Sequence, residues 1–236
     1  MQRTLRYAVT LCLGLCLAVC GQAHQGMWLP SLVKQLNIKD MQAKGLKLTA
    51  EDLYSVNQAS LKDAVAQLGN GCTGAMVSPT GLLLTNHHCA YSYIQALSSV
   101  AHDYLTDGYC AKNQAEELPC QGLTVRFLEY MDDVTDSVLK GVDAVMDESA
   151  RAALVASNTR RLVAGLEAKN PKLKYDVEPL FYGNQYFLFA YQEFTDIRLV
   201  VAPPSAIGKF GGDTDNWVWP RHTGDFSLLR VYADSG

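Results

Sequence analysis

The stretch Gly71–Tyr91, GCTGAMVSPTGLLLTNHHCAY, decides the fold. Two short apolar runs, Ala75–Val77 and Leu82–Thr85, flank Ser78-Pro79-Thr80-Gly81. Proline presets φ and glycine admits positive φ, so this tetrapeptide favours a tight turn and the whole reads as a β-hairpin. Its second strand runs into two adjacent histidines, His87 and His88, and a cysteine stands near each end, Cys72 and Cys89. Such an arrangement suits a metal site, a catalytic base with a neighbour, or an ordinary buried strand end.

Metal binding is the weakest of the three. On a strand, neighbouring side chains point to opposite faces, so His87 and His88 are poorly placed to share one ion. The chain has no His-Glu-x-x-His helix and no Cys-x-x-Cys pair. No metal and no organic cofactor is expected.

Composition sets the outer limits. The chain of 236 residues is 48% hydrophobic and 19% charged, which suits a folded protein rather than a disordered one. A formal net charge of −4 gives no reason to expect a nucleic-acid partner. Residues 1–23 read as a signal peptide: Arg3 and Arg6 precede the apolar run YAVTLCLGLCLAVC, and small residues follow at Gly21 and Ala23. The run is short for a membrane span, so no membrane association is expected of the mature form. A lipoprotein signal at Cys20 fits less well, because Val19 stands where such signals carry a small residue. Cleavage after Ala23 removes two arginines and no acid, taking the charge from −4 to −6. It leaves four cysteines, Cys72, Cys89, Cys110 and Cys120. An even count in an exported chain reads as two disulfides, with three pairings open.

The remainder is mainly β with helical insertions. Leu32, Val33, Leu36 and Ile38 follow roughly helical spacing, and Thr49-Ala-Glu-Asp52 resembles a capping box. Residues 134–171 repeat apolar side chains at three and four and form a helical insertion with a solvated charged face. Aromatic and β-branched residues then return in YDVEPLFYGNQYFLFAYQEFTDIRLVVAPP, ended by Pro203-Pro204. After a loop punctuated by Gly, Asp and Asn, FSLLRVY makes a last strand, and the chain stops just past it, as an incomplete chain would.

Nucleophilic hydrolysis needs a histidine to take a proton from the nucleophile and a buried carboxylate to orient that histidine. LTNHHC resembles the Thr-Ala-Ala-His-Cys segment of chymotrypsin-like peptidases, with His88 in the catalytic place. GDFSLLRVY resembles the segment of the same fold in which an Asp opens an apolar strand, here Asp225. Four segments make the resemblance specific: GMWLP, GCTGAMVSPTGLLLTNHHCAY, DYLTDGY…EELPCQGLTVRFLE and IGKFGGDTDNWVWPRHTGDFSLLRVYAD. Together they are similar to the dipeptidyl-peptidase 7 and 11 family (serine peptidase family 46) over nearly the whole mature chain.

That resemblance implies a chymotrypsin-like (trypsin-like) β-barrel fold, with residues 24–236 forming the first barrel and part of a two-barrel peptidase domain. It implies a serine-type dipeptidyl-peptidase releasing dipeptides from peptides with a free N-terminus. His88 would be the general base, Asp225 its orienting acid, and Asn216 and Trp217 would hold the substrate's N-terminal end. Trp219 is expected to pack in the barrel, His87 to support the fold or the neighbouring loop, Arg221 and His222 either to brace Asp225 or simply to face solvent, and Asp213 and Asp215 to shape their loop. The bridge Cys72–Cys89 follows from the resemblance, and with it Cys110–Cys120. The nucleophile would lie beyond residue 236, Ser235 following Asp225 too closely to serve, so this fragment alone would be inactive. The protein would be exported to the periplasm or cell surface of a Gram-negative bacterium and form a homodimer when full length. Two other readings fit the same residues: a trypsin-like endopeptidase, disfavoured by the long interval between His88 and Asp225, and a non-catalytic peptide-binding protein of the same fold.

Overall fold

A computed structural model describes residues 28–55, 57–69, 71–143, 145–210 and 222–233. The signal-peptide stretch, Asp213, Asp215, Asn216, Trp217, Trp219, Arg221 and Ser235 lie outside the described residues. The chain divides into two compact units after Ala50. In the first, helical turns span Val33–Leu36 and Ile38–Ala43, where Lys44 Nζ donates to Asp40 Oδ2 at 3.1 Å.

The second unit is built on one antiparallel sheet. The hairpin pairs β2 (Thr73–Met76) with β3 (Leu82–Thr85), with Ala75 opposite Leu84 and Met76 opposite Leu83. Its turn is held by Ser78 Oγ, which accepts from the backbone N–H groups of Thr80 (3.3 Å) and Leu82 (3.1 Å). Gly81 is required there: its φ is +81°, and a Cβ would stand 2.4 Å from the carbonyl oxygen of Val231. Preceding the hairpin is β1 (Val65–Leu68), and following it is helix α1 (His87–Leu97).

The remaining strands are β4 (Tyr109–Cys110), β5 (Leu118–Pro119), β6 (Val125–Asp133), β7 (Leu173–Leu180), β8 (Gln185–Phe194), β9 (Asp196–Ala202) and β10 (Ser227–Tyr232). They run in the order β4-β9-β10-β3-β2-β1-β6-β8-β7, with β5 also paired to β9. The chain itself closes this path. β5 pairs with β9, and a few residues later β6 pairs with β1 through Leu68 opposite Val125. Strands β9, β10, β3, β2, β1 and the β5–β6 segment therefore ring a single core. Ala66, Leu68, Leu83, Leu123, Val125, Ile197, Leu199 and Leu229 fill it, with Ala90 and Ile94 of α1. This is a chymotrypsin-like barrel arrangement.

Beyond the ring, β6 continues with β8 and β7 as a sheet extension. The helices α2 (Thr135–Val138) and α3 (Glu148–Lys169) fall in the helix-patterned stretch 134–171. Asp147 caps α3 by accepting from Ala150 N at 2.9 Å. Val163 and Leu166 of α3 pack on Tyr175, Leu188 and Ala190. Asn158 is a buried polar residue in the middle of α3, and it donates to the carbonyls of Val138 and Lys140, both at 2.9 Å. It thereby satisfies carbonyls at the end of α2 that the helix leaves without partners.

The cysteines require one correction. Cys72 and Cys89 are bridged, with Cα atoms 6.0 Å apart, but Cys110 and Cys120 are both free thiols. The expected Cys110–Cys120 pair fails for a topological reason. Cys110 sits opposite Val201 of β9, whereas Cys120 N donates to Ile197 O of the same strand. Four residues along a strand separate them by roughly 13 Å, and a disulfide needs Cα atoms within about 7 Å. Burial pushes the Cys120 thiol up to about 11, while Cys110 is exposed. In the native protein lacking residues 1–23, alkylation should therefore label Cys110 but not Cys120, Cys72 or Cys89. Denaturation without reduction should add Cys120, and peptide mapping should find Cys72 and Cys89 still linked.

A second constraint holds the barrel wall. Glu117, beside β5, accepts from Arg230 Nε and Tyr232 Oη of β10, each at 2.8 Å. Arg230 Nη1 also donates to Thr80 O in the hairpin turn at 2.7 Å. The Glu117 side chain is only 2% exposed, so removing its cation leaves a buried charge. Arg230→Leu should cost about 3–5 kcal/mol in urea unfolding, and adding Glu117→Leu should recover part of that loss. Equal losses in the single and double variants would show that the pair's charges are not what matters.

Candidate active site

Strand β3 ends at Thr85, and Asn86 is the last extended residue (φ −76°, ψ 150°) before α1. His87 and His88 thus occupy the first turn of a helix rather than the end of a strand. Their directions differ by about 100° around the helix axis, which sends one inward and one outward. His87 is 0% exposed, whereas the His88 side chain is 54% exposed.

The other half of the site comes from across the sheet. Ser227 of β10 pairs with Thr85 of β3, and continuing that antiparallel register places position 225 opposite 87. Asp225 therefore arrives at the start of α1, where backbone N–H groups have no partner inside the helix. It caps the helix from a distance: His88 N donates to Asp225 Oδ1 at 3.0 Å. His88 Nδ1 lies 2.7 Å from Asp225 Oδ2. Asn86, which makes no cap of its own, donates from Nδ2 to Asp225 O at 3.1 Å and Oδ2 at 3.2 Å. The Asp225 side chain is 5% exposed, and these donors make its burial tolerable.

The tautomer follows. A carboxylate only accepts, so Nδ1 of His88 carries the proton and, in the neutral ring, Nε2 is left as the acceptor. An exposed imidazole nitrogen, oriented by a buried carboxylate through the other ring nitrogen, is equipped to take a proton from a hydroxyl nucleophile. Sequence reasoning named His88 and Asp225, and they meet. It did not single out Asn86, although Asn immediately before a helix is a capping signal.

His87 has a different surrounding. Its ring packs edge-on to Tyr91, 6.0 Å between centroids, with Nε2 3.4 Å from Ser205 Oγ. The short helix α4 (Ser205–Gly208) lies against it so closely that a Cβ on Gly208 would be 2.6 Å from His87 Cγ. Thr223 Oγ1 donates to Ile207 O and Gly208 O, each at 3.0 Å, and Gly224 N donates to Ile207 O at 3.1 Å. The short helix α4 is thus tied both to α1 and to the segment carrying Asp225. His222 is exposed.

The Cys72–Cys89 bridge staples β2 to α1 beside His88. A ring nitrogen of His88 and the two sulfurs lie within 4.8 Å of one another, although in the bridged form the sulfurs are bonded to each other. No helix among the described residues is long and apolar enough to cross a membrane.

Residues 23–236 match the model of the peptidase S46 family. The chain belongs to that family. It is 51% identical over 217 residues to an Asp/Glu-specific dipeptidyl-peptidase of Capnocytophaga gingivalis, covering 92% of this chain and 30% of the relative. It is 49% identical over 213 residues to dipeptidyl-peptidase 7 of the same organism, covering 90% and 30%. Among solved structures, Porphyromonas endodontalis DPP11 in complex with the dipeptide Arg-Glu superposes with a TM-score of 0.82 at 45% identity, over 90% of this chain and 31% of that one. The chain spans about a third of the length of the relatives it matches.

Burial lowers the pKa of His87, an effect that Asp225 opposes and Lys209 reinforces. Above about pH 6.5 His87 is neutral in both folded and unfolded chains, and stability does not depend on it. As pH falls below that value, the unfolded chain takes up a proton that the folded chain resists, so stability declines towards the folded pKa. In His87→Leu the unfolding free energy should lose this part of its slope just below pH 6.5. An unchanged slope would mean that another group causes it.

Proposed function

We propose that this chain carries the general base and the orienting acid of a serine-type dipeptidyl-peptidase, which releases dipeptides from peptides with a free N-terminus. The single observation behind the reading is the Asp225–His88 pair, with a buried carboxylate on Nδ1 and an open Nε2. The peptidase S46 family match and relatives named dipeptidyl-peptidase at about half identity support it.

In this reading a serine beyond residue 236 attacks the peptide carbonyl. Nε2 of His88 accepts the serine proton as the bond forms and returns a proton to the leaving amine. Asp225 holds the tautomer and stabilises the imidazolium formed in between. Asn216 and Trp217 bind the substrate's free N-terminus: a buried ammonium must find acceptors, and longer chains must be refused sterically. The exposed side chains of Ile207, Phe210 and Phe226, close in the chain to Gly208 and Asp225, suit a surface covered by a further part of the protein. We further propose export through the signal at residues 1–23, residence in the periplasm or at the cell surface, and a homodimer at full length.

The test is kinetic and uses the protein at the length of its relatives. Asp225→Asn and His88→Ala should each lower kcat by about 10⁴ with KM little changed. An N-terminally blocked peptide should go uncut, and Asn216→Ala should raise KM for the free one. Rapid cleavage of the blocked peptide would make the enzyme an endopeptidase. Full activity in His88→Ala would remove the catalytic assignment.

A further inference from the structure

The Cys72–Cys89 bridge and His88 together form more than a brace. We propose that, once the bridge is reduced, Cys72, Cys89 and His88 make a binding site for a soft divalent cation such as zinc, and that occupancy of this site withdraws His88 from catalysis.

Three observations converge. The two sulfurs and a ring nitrogen of His88 already lie within 4.8 Å of one another, on the fixed end of β2 and the first turn of α1. Zinc takes thiolate sulfur at about 2.3 Å and imidazole nitrogen at about 2.0–2.1 Å. Tetrahedral geometry then asks for ligand atoms roughly 3.5–3.8 Å apart, a spacing that falls inside the 4.8 Å within which these three atoms already lie. The Cα atoms, 6.0 Å apart, need not move for two sulfurs to face one ion.

The second observation concerns His88. Metal-bound histidines commonly pass their other ring N–H to a carboxylate, which fixes the ring and raises its basicity. Asp225 Oδ2 at 2.7 Å from Nδ1 supplies that partner, leaving Nε2 as the metal-facing atom. The third is access: the His88 side chain is 54% exposed, so an ion can enter and a water can complete the coordination. Two cysteines, one histidine and an open position is a donor set zinc accepts. The pair His87 and His88 is not this site: His87 points into the core.

The chemistry balances without hidden reagents. A dithiol reductant exchanges with the bridge, becoming a disulfide while Cys72 and Cys89 become thiols. Zinc then displaces one proton from each thiol and occupies the lone pair of Nε2, the same lone pair the proposed mechanism uses to accept the serine proton. Metal binding and general-base catalysis are therefore mutually exclusive. The site itself stands independently of the peptidase reading; only its inhibitory consequence rests on it.

The test needs no activity measurement. The protein at the length of its relatives, without residues 1–23, is reduced with dithiothreitol, freed of it anaerobically, and titrated with zinc against a chromophoric chelator, beside the same protein left oxidised. Reduced protein should bind one equivalent more than oxidised protein, and that equivalent should disappear in Cys72→Ser. His88→Ala and Asp225→Asn, which keep both thiols, should each weaken it by at least 10-fold. Cobalt in place of zinc should give intense thiolate-to-metal absorption in the reduced wild type. Cys110 and Cys120 remain in every variant, so zinc held by them appears in all and cancels. No extra equivalent on reduction, or equal binding in Cys72→Ser, overturns the site. Equal affinity in His88→Ala and wild type removes His88 from it. A bound equivalent that leaves peptidase activity intact at full length would sever the site from catalysis while the catalytic assignment stood.

Discussion

The carboxylate of Asp225 meets the first turn of α1, and much of the site depends on that contact. A helix leaves its first N–H groups without partners, and a buried carboxylate needs donors. Each solves the other's problem: His88 N and Asn86 Nδ2 supply two of the hydrogen bonds, and His88 Nδ1 supplies the third. The positive end of the helix dipole favours the negative charge at the same place. The orientation of His88 is therefore a by-product of capping α1 from a remote strand.

The barrel exists, in this sense, to deliver Asp225. The register of β3 with β10 sets its position along the sheet, and the tie through α4 sets its approach. The β5–β6 segment closes the ring, so β9 and β10 cannot shift independently of β1. Glu117 and Arg230 pin the β5 side to β10 and to the hairpin turn. The bridge between Cys72 and Cys89 restrains β2 against the helix that carries the base. These constraints act on different elements: the bridge and the tie through α4 act beside His88, and the Glu117–Arg230 pair acts at the far end of β3 and β10.

His87 and His88 are adjacent and chemically identical, yet their environments differ in kind. The helix turns one ring into the wall beneath Gly208 and the other towards solvent. Burial disfavours the charged form of His87, which suits a packing role. His88 keeps an open nitrogen and a carboxylate partner, which suits proton transfer and, with the sulfurs beside it, metal ligation. One residue of displacement along a helix separates structure from chemistry.

Local pattern made several elements legible. The Ser-Pro-Thr-Gly turn marked the hairpin, the three-and-four spacing marked a helix that spans Glu148–Lys169, and the aromatic and β-branched runs marked strands where they occur. The positions of His88 and Asp225 were legible through resemblance to whole segments, not through spacing. What stayed hidden was non-local. The apolar run of β3 suggested a strand carrying its direction on into the histidines, and the capping signal of Asn86 gains meaning only with the helix that follows it. The free thiols of Cys110 and Cys120 follow from both flanking strands pairing with β9 at different heights, a fact no cysteine count contains. The cluster of Cys72, Cys89 and His88 likewise needed the hairpin to fold back before its atoms could meet. Sequence determined which segments would be strand or helix, because those depend on neighbouring residues. Tertiary structure alone decided which distant groups would share hydrogen bonds and sulfurs, because register and closure are properties of the whole barrel.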